Sequence, residues 1–310
     1  MKKVVLHVGP SKTASTTVQK FLSEYEGEAP FFYPRWGWTR PDAGHHNLAY
    51  EMRNDSRFNP ELGGLDRLRT ELARGQSVFM SSEDFPTFAP AVKKIKDVCD
   101  EFGFELEILF FVRDPIARLN SMYTQQIKTF VENCPFPDFI NRAKKEDKLA
   151  LRRNVQKPLE AMGVRVRFMP FIGPKLNRIF AETCESYGFS AKPEQFEHTN
   201  PAPSPEDIAL YRQLGHLMQN SEVNHWEASN RFQKKYGFNT KFFGFDQWLI
   251  DDVREYLADE YEDMEALGLG DYADELAATF WKAKPKNGSI SDQEKFREFK
   301  ADIIDYMKLQ

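Results

Sequence analysis

Lys12 stands in a run of small and hydroxylated residues, Gly9-Pro10-Ser11-Lys12-Thr13-Ala14-Ser15-Thr16-Thr17, directly after the apolar stretch Val4-Val5-Leu6-His7-Val8. One cation, several short hydroxyls and a series of small-residue backbone amides are the materials of an anion site. The apolar stretch reads as a buried strand, and Val18, Phe21 and Leu22 open the inner face of a helix. The loop then lies at a helix N-terminus, where unbonded N–H groups and the positive end of the dipole favour a phosphate or sulfate.

A second set of anion-binding residue types lies in Arg113-Asp114-Pro115-Ile116-Ala117-Arg118-Leu119-Asn120-Ser121-Met122-Tyr123. Asp114 suits an N-cap and Pro115 the first helical position, so Arg118 and Ser121 share one side of a helix, with Arg113 at the end of the strand before it. Taken alone, Arg113 and Arg118 could equally pair with acids, with Ser121 merely a small residue. Glu83, beside Asp84 at the end of the short β-like run Ser77-Val78-Phe79-Met80-Ser81, is a candidate proton acceptor. Asp84 reads as a cap for the next helix. His45 and His46 are the rival proton acceptors, by virtue of imidazole chemistry near neutral pH, or else cap and core residues of a short helix carrying Leu48 and Met52.

These residues need elements to hold them. Helical periodicity covers 60–75 (Leu62, Leu65, Leu68 and Leu72, closed by Gly75), 90–103 and about 148–162. Leu106–Val112 is almost continuously apolar, as a central parallel strand covered on both faces must be, and Val164–Pro170 reads as a fourth strand. Helix and strand alternate, which predicts an α/β fold with a parallel sheet, whose ligands sit at the carboxyl ends of the strands. After Asn200-Pro201-Ala202-Pro203-Ser204-Pro205 helical patterns dominate, at 205–219, 225–236, 246–267, 271–282 and about 291–308. The expectation is a sheet domain over 1–275, with a helical C-terminal extension, 276–310, packed on or flanking it. The aromatic loop Phe31-Phe32-Tyr33-Pro34-Arg35-Trp36-Gly37-Trp38 either lies against this body or walls a ligand cleft.

Composition excludes several classes. In 310 residues with a formal charge of −5, a general nucleic-acid binder, which needs a basic face, is not expected. No apolar run approaches the roughly 20 residues of a membrane span, and the start of the chain lacks the apolar segment of about 7 residues or more that export requires. Three widely separated cysteines, Cys99, Cys134 and Cys184, suggest neither a disulfide framework nor a zinc site, which fits a reducing cytoplasm.

The loop is not a Walker A sequence, because Ala14 and Ser15 occupy the Gly-Lys positions counted from Gly9 and Lys12 comes too early. A dinucleotide fingerprint is also missing. Pro10-Ser11-Lys12-Thr13-Ala14-Ser15-Thr16-Thr17-Val18-Gln19 instead resembles the P-K-T-G-T-T-S-L-Q loop of the sulfotransferases, with one residue inserted between proline and lysine. Arg113-Asp114-Pro115-x-x-Arg118-x-x-Ser121-x-Tyr123 resembles that family's second motif, R-D-P-x-x-R-x-x-S-x-Y. The likeness extends to roughly residue 270, taking in Tyr33-Pro34, the segment at His46 and the Asn200 turn of bacterial carbohydrate-type members.

The resemblance implies a P-loop-like fold and a donor, 3′-phosphoadenosine 5′-phosphosulfate, used without a metal. It implies that Ser11, Lys12, Thr13, Ala14, Ser15 and Thr16 surround the 5′-phosphosulfate and that Arg113 and Ser121 hold the 3′-phosphate. Lys12 would neutralise the leaving oxygen. The base would be Glu83, preferred over His45 or His46 because it ends the second strand. The implied acceptor is a hydroxyl of a carbohydrate, a glycolipid or another small molecule. Ala14 replaces the family's glycine, a change that costs about 1 kcal/mol if the position needs positive φ. A P-loop kinase or NTPase, or a non-catalytic nucleotide-binding protein of the same fold, is the alternative.

Overall fold

The computed structural model describes residues 2–8, 13, 15–39, 43–85, 87–129, 131–146, 150–196, 242–261 and 267–284, with isolated positions between 208 and 235 and after 297. The segments expected to be helical at 205–219, 225–236 and 291–308 fall almost wholly outside the described residues. Two compact units make up the chain. One comprises Met1–Asp114, Ala150–Thr199 and Ala258–Thr279; the other comprises Pro115–Leu149, Asn200–Leu257 and Phe280–Gln310.

The first unit is α/β, a four-stranded parallel sheet with flanking helices. Its strands are β1 (Lys3–His7), β2 (Val78–Ser81), β3 (Glu105–Arg113) and β4 (Arg165–Phe171), in the order β2-β1-β3-β4. Val4, Val5, Leu6 and seven consecutive residues of β3 are buried, so the apolar runs are strands covered on both faces. The register pairs His7 with Ser81 on β2 and with Leu109 on β3. Helices α1 (Ser15–Ser23), α2 (His46–Arg53), α3 (Leu65–Ala73) and α4 (Ala89–Glu101) lie between β1 and β3 in sequence. The aromatic loop lies against the body: Phe32 exchanges backbone hydrogen bonds with Ser77 and Phe79, and the Tyr33 hydroxyl donates to the Ala43 carbonyl at 2.8 Å.

Two helices differ from their sequence patterns. The one expected over 60–75 starts only at Leu65, because Gly63 adopts φ +87° and breaks the chain after a short 3-10 turn, leaving Leu62 40 % exposed. The Glu51 carboxylate supplies the cap, accepting the Leu65 N–H at 2.7 Å. The region 148–162 contains a π-helical segment, Arg152–Gln156, before the short α5 (Lys157–Glu160). Pro158 has no N–H for the carbonyl four residues back, and the Lys157 N–H instead reaches the Arg152 carbonyl five residues back. After β4, α6 (Leu176–Ser186) packs Ile179 and Phe180 into the main core.

A charged residue is also built into this unit. Glu107, 2 % exposed on the central strand, accepts from Lys3 Nζ at 2.8 Å and from the Tyr187 hydroxyl, with Arg165 3.8 Å away. Burial alone would raise its carboxyl, but the Lys3 and Tyr187 hydrogen bonds and the two cations outweigh it and hold it below the usual glutamate range.

The second unit is helical where described. It contains α7 (Pro115–Lys128), α8 (Phe136–Lys145) and the first turns of α9 (Gln247–Tyr261). Tyr123 is its centre, packed on Phe136 at 4.9 Å, Phe139 at 5.3 Å and Phe242 at 5.8 Å, with its hydroxyl donated to the Cys134 carbonyl at 2.8 Å. Asn120 ties in the distant strand of chain, donating to Phe242 O at 3.0 Å and accepting the Gly244 N–H at 2.9 Å. Among the described residues, no helix is long and apolar enough to cross a membrane.

Candidate functional site

Strand order decides which loops meet. β1 lies between β2 and β3, so the carboxyl ends of those three strands are adjacent. The chain leaves β1 toward β2 and leaves β3 toward β4, which makes the β1/β3 boundary the switch point where open parallel sheets bind ligands.

The segment after β1 carries the first candidate anion site. Ser11, Lys12 and Ala14 lie outside the described residues. Thr13 is fully buried, Thr16 is exposed, and Ser15 is the first residue of α1. The Ser15 hydroxyl oxygen is buried and makes no hydrogen bond. A hydroxyl left unsatisfied at a helix N-terminus costs free energy in the unliganded protein and is a ready donor to an anion placed there.

The strand before that loop holds a histidine that the sequence reading absorbed into an apolar run. His7 is fully buried; its Nδ1 is 2.8 Å from Ser81 Oγ, and its ring meets Phe111 edge-on at 5.2 Å. Its Nε2 is buried without a partner, and burial pushes its pKa down to about 3. The signal was present, since an imidazole is the only polar side chain among Val4–Val8.

After β2 the chain makes a polar turn against the start of α2. His45 is fully enclosed, donating from Nε2 to the Pro34 carbonyl at 3.0 Å and accepting the Ser81 N–H on Nδ1 at 3.2 Å. Tyr33, Trp36 and Trp38 present ring contacts around it at 4.8, 5.9 and 6.5 Å. Burial, opposed by the two backbone hydrogen bonds, lowers its pKa to about 3. His45 makes no side-chain cap to α2 and serves as a neutral spacer between the aromatic loop and β2.

His46 faces the polar turn instead. Its Nδ1 lies 2.8 Å from Ser82 Oγ and 3.2 Å from Asp84 Oδ2. The expected capping role of Asp84 is not what it does: α4 starts at Ala89 with Phe88 as its N-cap and no side-chain cap bond. Instead the hydrogen bond from His46 holds the Asp84 carboxyl below the usual range, against the opposing effect of burial. Glu83 is half-buried beside them, and its Oε2 accepts the Gln19 side-chain amide at 3.0 Å. Gly44 closes the group: a Cβ there would sit 2.4 Å from His46 Nε2 and 3.0 Å from Gln19 Nε2. The structure thus gathers Glu83, Asp84, Ser82, His46 and Gln19 and sets His45 apart.

Arg113 ends β3, paired in register with Phe171 of β4. It is half-buried, its guanidinium lies 5.0 Å from the Phe171 ring centroid, and burial lowers its pKa. The adjacent Asp114 carboxylate opposes that shift. Asp114 is buried, and Pro115 opens α7 as the sequence predicts. Arg118 and Ser121 are half-buried on α7, and Ser121 O accepts the Thr124 hydroxyl at 2.9 Å. They belong to the second unit, as does Tyr123, whose part in the motif is to build that unit's aromatic core.

No protein-family model matches the chain, and no curated protein matches it.

Proposed function

We propose that this chain is a sulfotransferase of P-loop-like α/β fold, similar to bacterial carbohydrate-type members. It takes a sulfuryl group from 3′-phosphoadenosine 5′-phosphosulfate and passes it to a hydroxyl of a carbohydrate or glycolipid. The observation that carries this reading is the strand order β2-β1-β3-β4. It sets the end of β1, which the lysine-bearing motif follows in sequence, between the end of β2, where the carboxylate–imidazole group lies, and β3, which closes on Arg113.

The donor supplies an activated sulfur and a phosphate leaving group; the protein supplies positioning and charge. The buried Ser15 hydroxyl supports an anion at the start of α1, and the motif that Arg113 belongs to assigns a second one to the end of β3. These fit the two anionic ends of a 3′-phosphorylated donor, with Ser121 assigned to the 3′-phosphate and Lys12 to the leaving oxygen by the motifs they belong to. In the transfer step the acceptor oxygen forms a bond to sulfur. The sulfur–oxygen bond to the phosphate breaks, and its electron pair stays on the phosphate oxygen, whose charge Lys12 neutralises. The acceptor's proton goes to a group beside β2, where Glu83 and His46 stand. Three free cysteines, with the buried Cys99 and Cys184 thiols pushed up to about 12 by burial, support placement in a reducing cytoplasm.

Calorimetry with adenosine 3′,5′-bisphosphate tests the donor site. Binding is expected, weakened about tenfold or more, or roughly 1.4 kcal/mol, by each of Lys12→Ala, Arg113→Ala and Ser121→Ala. A labelled-sulfate transfer screen over sugar and phenol acceptors then identifies the acceptor. Absence of bisphosphate binding, together with magnesium-dependent ATP hydrolysis that Lys12→Ala abolishes, overturns the reading in favour of a nucleotide-triphosphate enzyme.

A further inference from the structure

A cavity of about 510 Å³ runs along α1, within the roughly 300–1,000 Å³ of sites that hold small ligands. Thr17, Lys20, Phe21 and Glu24 recur at helical spacing and form one side of it, about 10 Å long at about 1.5 Å per residue. Thr17 lies in the first turn of α1, so one end of the cavity is beside the start of that helix. Tyr25 and Gly27, with Glu194 and Gln195 from the 3-10 turn Pro193–Gln195, supply more of the wall. The Tyr25 ring is fixed in place. It meets Phe189 edge-on at 5.2 Å and Phe21 at 5.7 Å, and its hydroxyl accepts the Ser190 N–H at 3.0 Å and donates to the Glu28 carbonyl at 3.3 Å. Gly27 must lie bare against it, since a Cβ there would sit 2.6 Å from the Tyr25 hydroxyl. An aromatic wall held this way costs little ordering when a ligand binds.

The polar groups of the lining are not spent on the fold. Among the described residues, the Lys20 ammonium and the carboxylates of Glu24, Glu26 and Glu194 make no hydrogen bond or ion pair. Gln195 accepts the Lys192 N–H through Oε1 at 2.7 Å, and its NH2 group keeps two donors. Donors and acceptors thus stand together around an aromatic ring. A sugar ring needs that combination, because each hydroxyl both gives and accepts a hydrogen bond while its C–H face covers an aromatic surface. One lysine against three glutamates leaves the lining with a formal charge of −2, which repels an anionic ligand. We infer that the cavity binds an uncharged oligosaccharide and excludes a uronate-bearing or already sulfated one. The sulfotransferase reading enters in one respect: under it, the sugars held here are the non-reacting part of the acceptor.

The test titrates the full chain, without donor, with cellotetraose, maltotetraose and chitotetraose, all uncharged, and with cellotetraose oxidised to uronate at C6. At least one uncharged tetrasaccharide is expected to bind with a Kd of about 1 mM or tighter and to shift the amide signals of Tyr25 and Gly27. The oxidised chain is expected to bind at least about tenfold more weakly than cellotetraose. Glu24 and Glu194 are exposed and unpartnered, so their removal leaves the fold alone. Glu24→Ala and Glu194→Ala are each expected to weaken binding about threefold or more, and the double change to lysine is expected to abolish the discrimination against uronate. No binding by any uncharged chain, signal shifts confined to other residues, equal affinity for the oxidised chain or unaltered binding by both alanine variants overturns the inference. A chain that binds the tetrasaccharide but transfers sulfate to no acceptor keeps the cavity's ligand and loses the sulfotransferase reading. One that transfers sulfate but binds none of the uncharged probes loses the inference alone.

Discussion

Gly44→Ala tests the packing of the polar turn without touching any of its hydrogen-bonding groups. Gly44 is not among the glycines with positive φ, so alanine meets no backbone strain and the effect is steric. The new methyl carbon would lie 2.4 Å from His46 Nε2. Ordinary contact begins near 3.4 Å, so the ring nitrogen must retreat by about 1 Å. The ring cannot retreat freely, because its side chain is 8 % exposed and Nδ1 is held at 2.8 and 3.2 Å by Ser82 and Asp84. A shift of that size takes both contacts past the roughly 3.5 Å at which hydrogen bonds end. Repacking strain costs about 1–3 kcal/mol, and the lost hydrogen bonds add about 1 kcal/mol after discounting for Asp84's exposure. A stiffer unfolded chain returns about 0.4–1 kcal/mol. The net expectation is a loss of about 2 kcal/mol in urea unfolding at pH 7 with an unchanged m-value. In a His46→Ala background the 2.4 Å contact is gone and only the 3.0 Å approach to the flexible Gln19 amide remains, so Gly44→Ala is expected to cost less than about 1 kcal/mol, a coupling of about 1–2 kcal/mol. Equal costs in the two backgrounds would refute the packing of the His46 ring against Gly44.

Glu107→Ala leaves Lys3 and Arg165 without their buried partner and is expected to cost about 3 kcal/mol, near the low end for a broken buried pair because Lys3 is partly exposed. Since the folded carboxyl is held low, the wild type's share of stability from Glu107 is present above the unfolded value near 4.3. It is lost as pH falls through the lower folded value, so Glu107→Gln should flatten unfolding free energy against pH below about 4. His7 and His45 have folded values of about 3, far below the unfolded 6.5, so the unfolded chain binds the extra protons. Each should therefore remove about 2 kcal/mol of stability between pH 7 and pH 5, and ring spectra that show either one charged at pH 5 would contradict its burial. Ser15→Ala removes an unsatisfied buried hydroxyl, and is expected to leave the unliganded protein as stable or up to about 1 kcal/mol more so while weakening bisphosphate binding several-fold; a loss of stability with intact binding would show that the hydroxyl serves the fold.

Much of this protein is legible in its residue order, because periodicity is local. The runs at Val4, Val78, Leu106 and Val166 all became strands of one parallel sheet, and Asp114-Pro115 opened a helix where its cap chemistry said it would. The two helices that departed from their patterns did so at Gly63 and Pro158, residues whose backbone constraints outrank apolar spacing. Spacing could identify the lysine loop, Arg113 and the Glu83 turn as three places where anion or proton chemistry was available. It could not say that β1 lies between β2 and β3, because strand pairing is a contact between residues some 70 to 100 positions apart and leaves no local signature. Nor could it separate the two adjacent histidines. Their types are identical, but the helix starting at His46 turns one ring into a cage of backbone and aromatic groups and the other onto Asp84. The sequence by itself determined which chemistry was available at the three loops; the tertiary structure decided that they share one sheet edge and which imidazole faces a carboxylate.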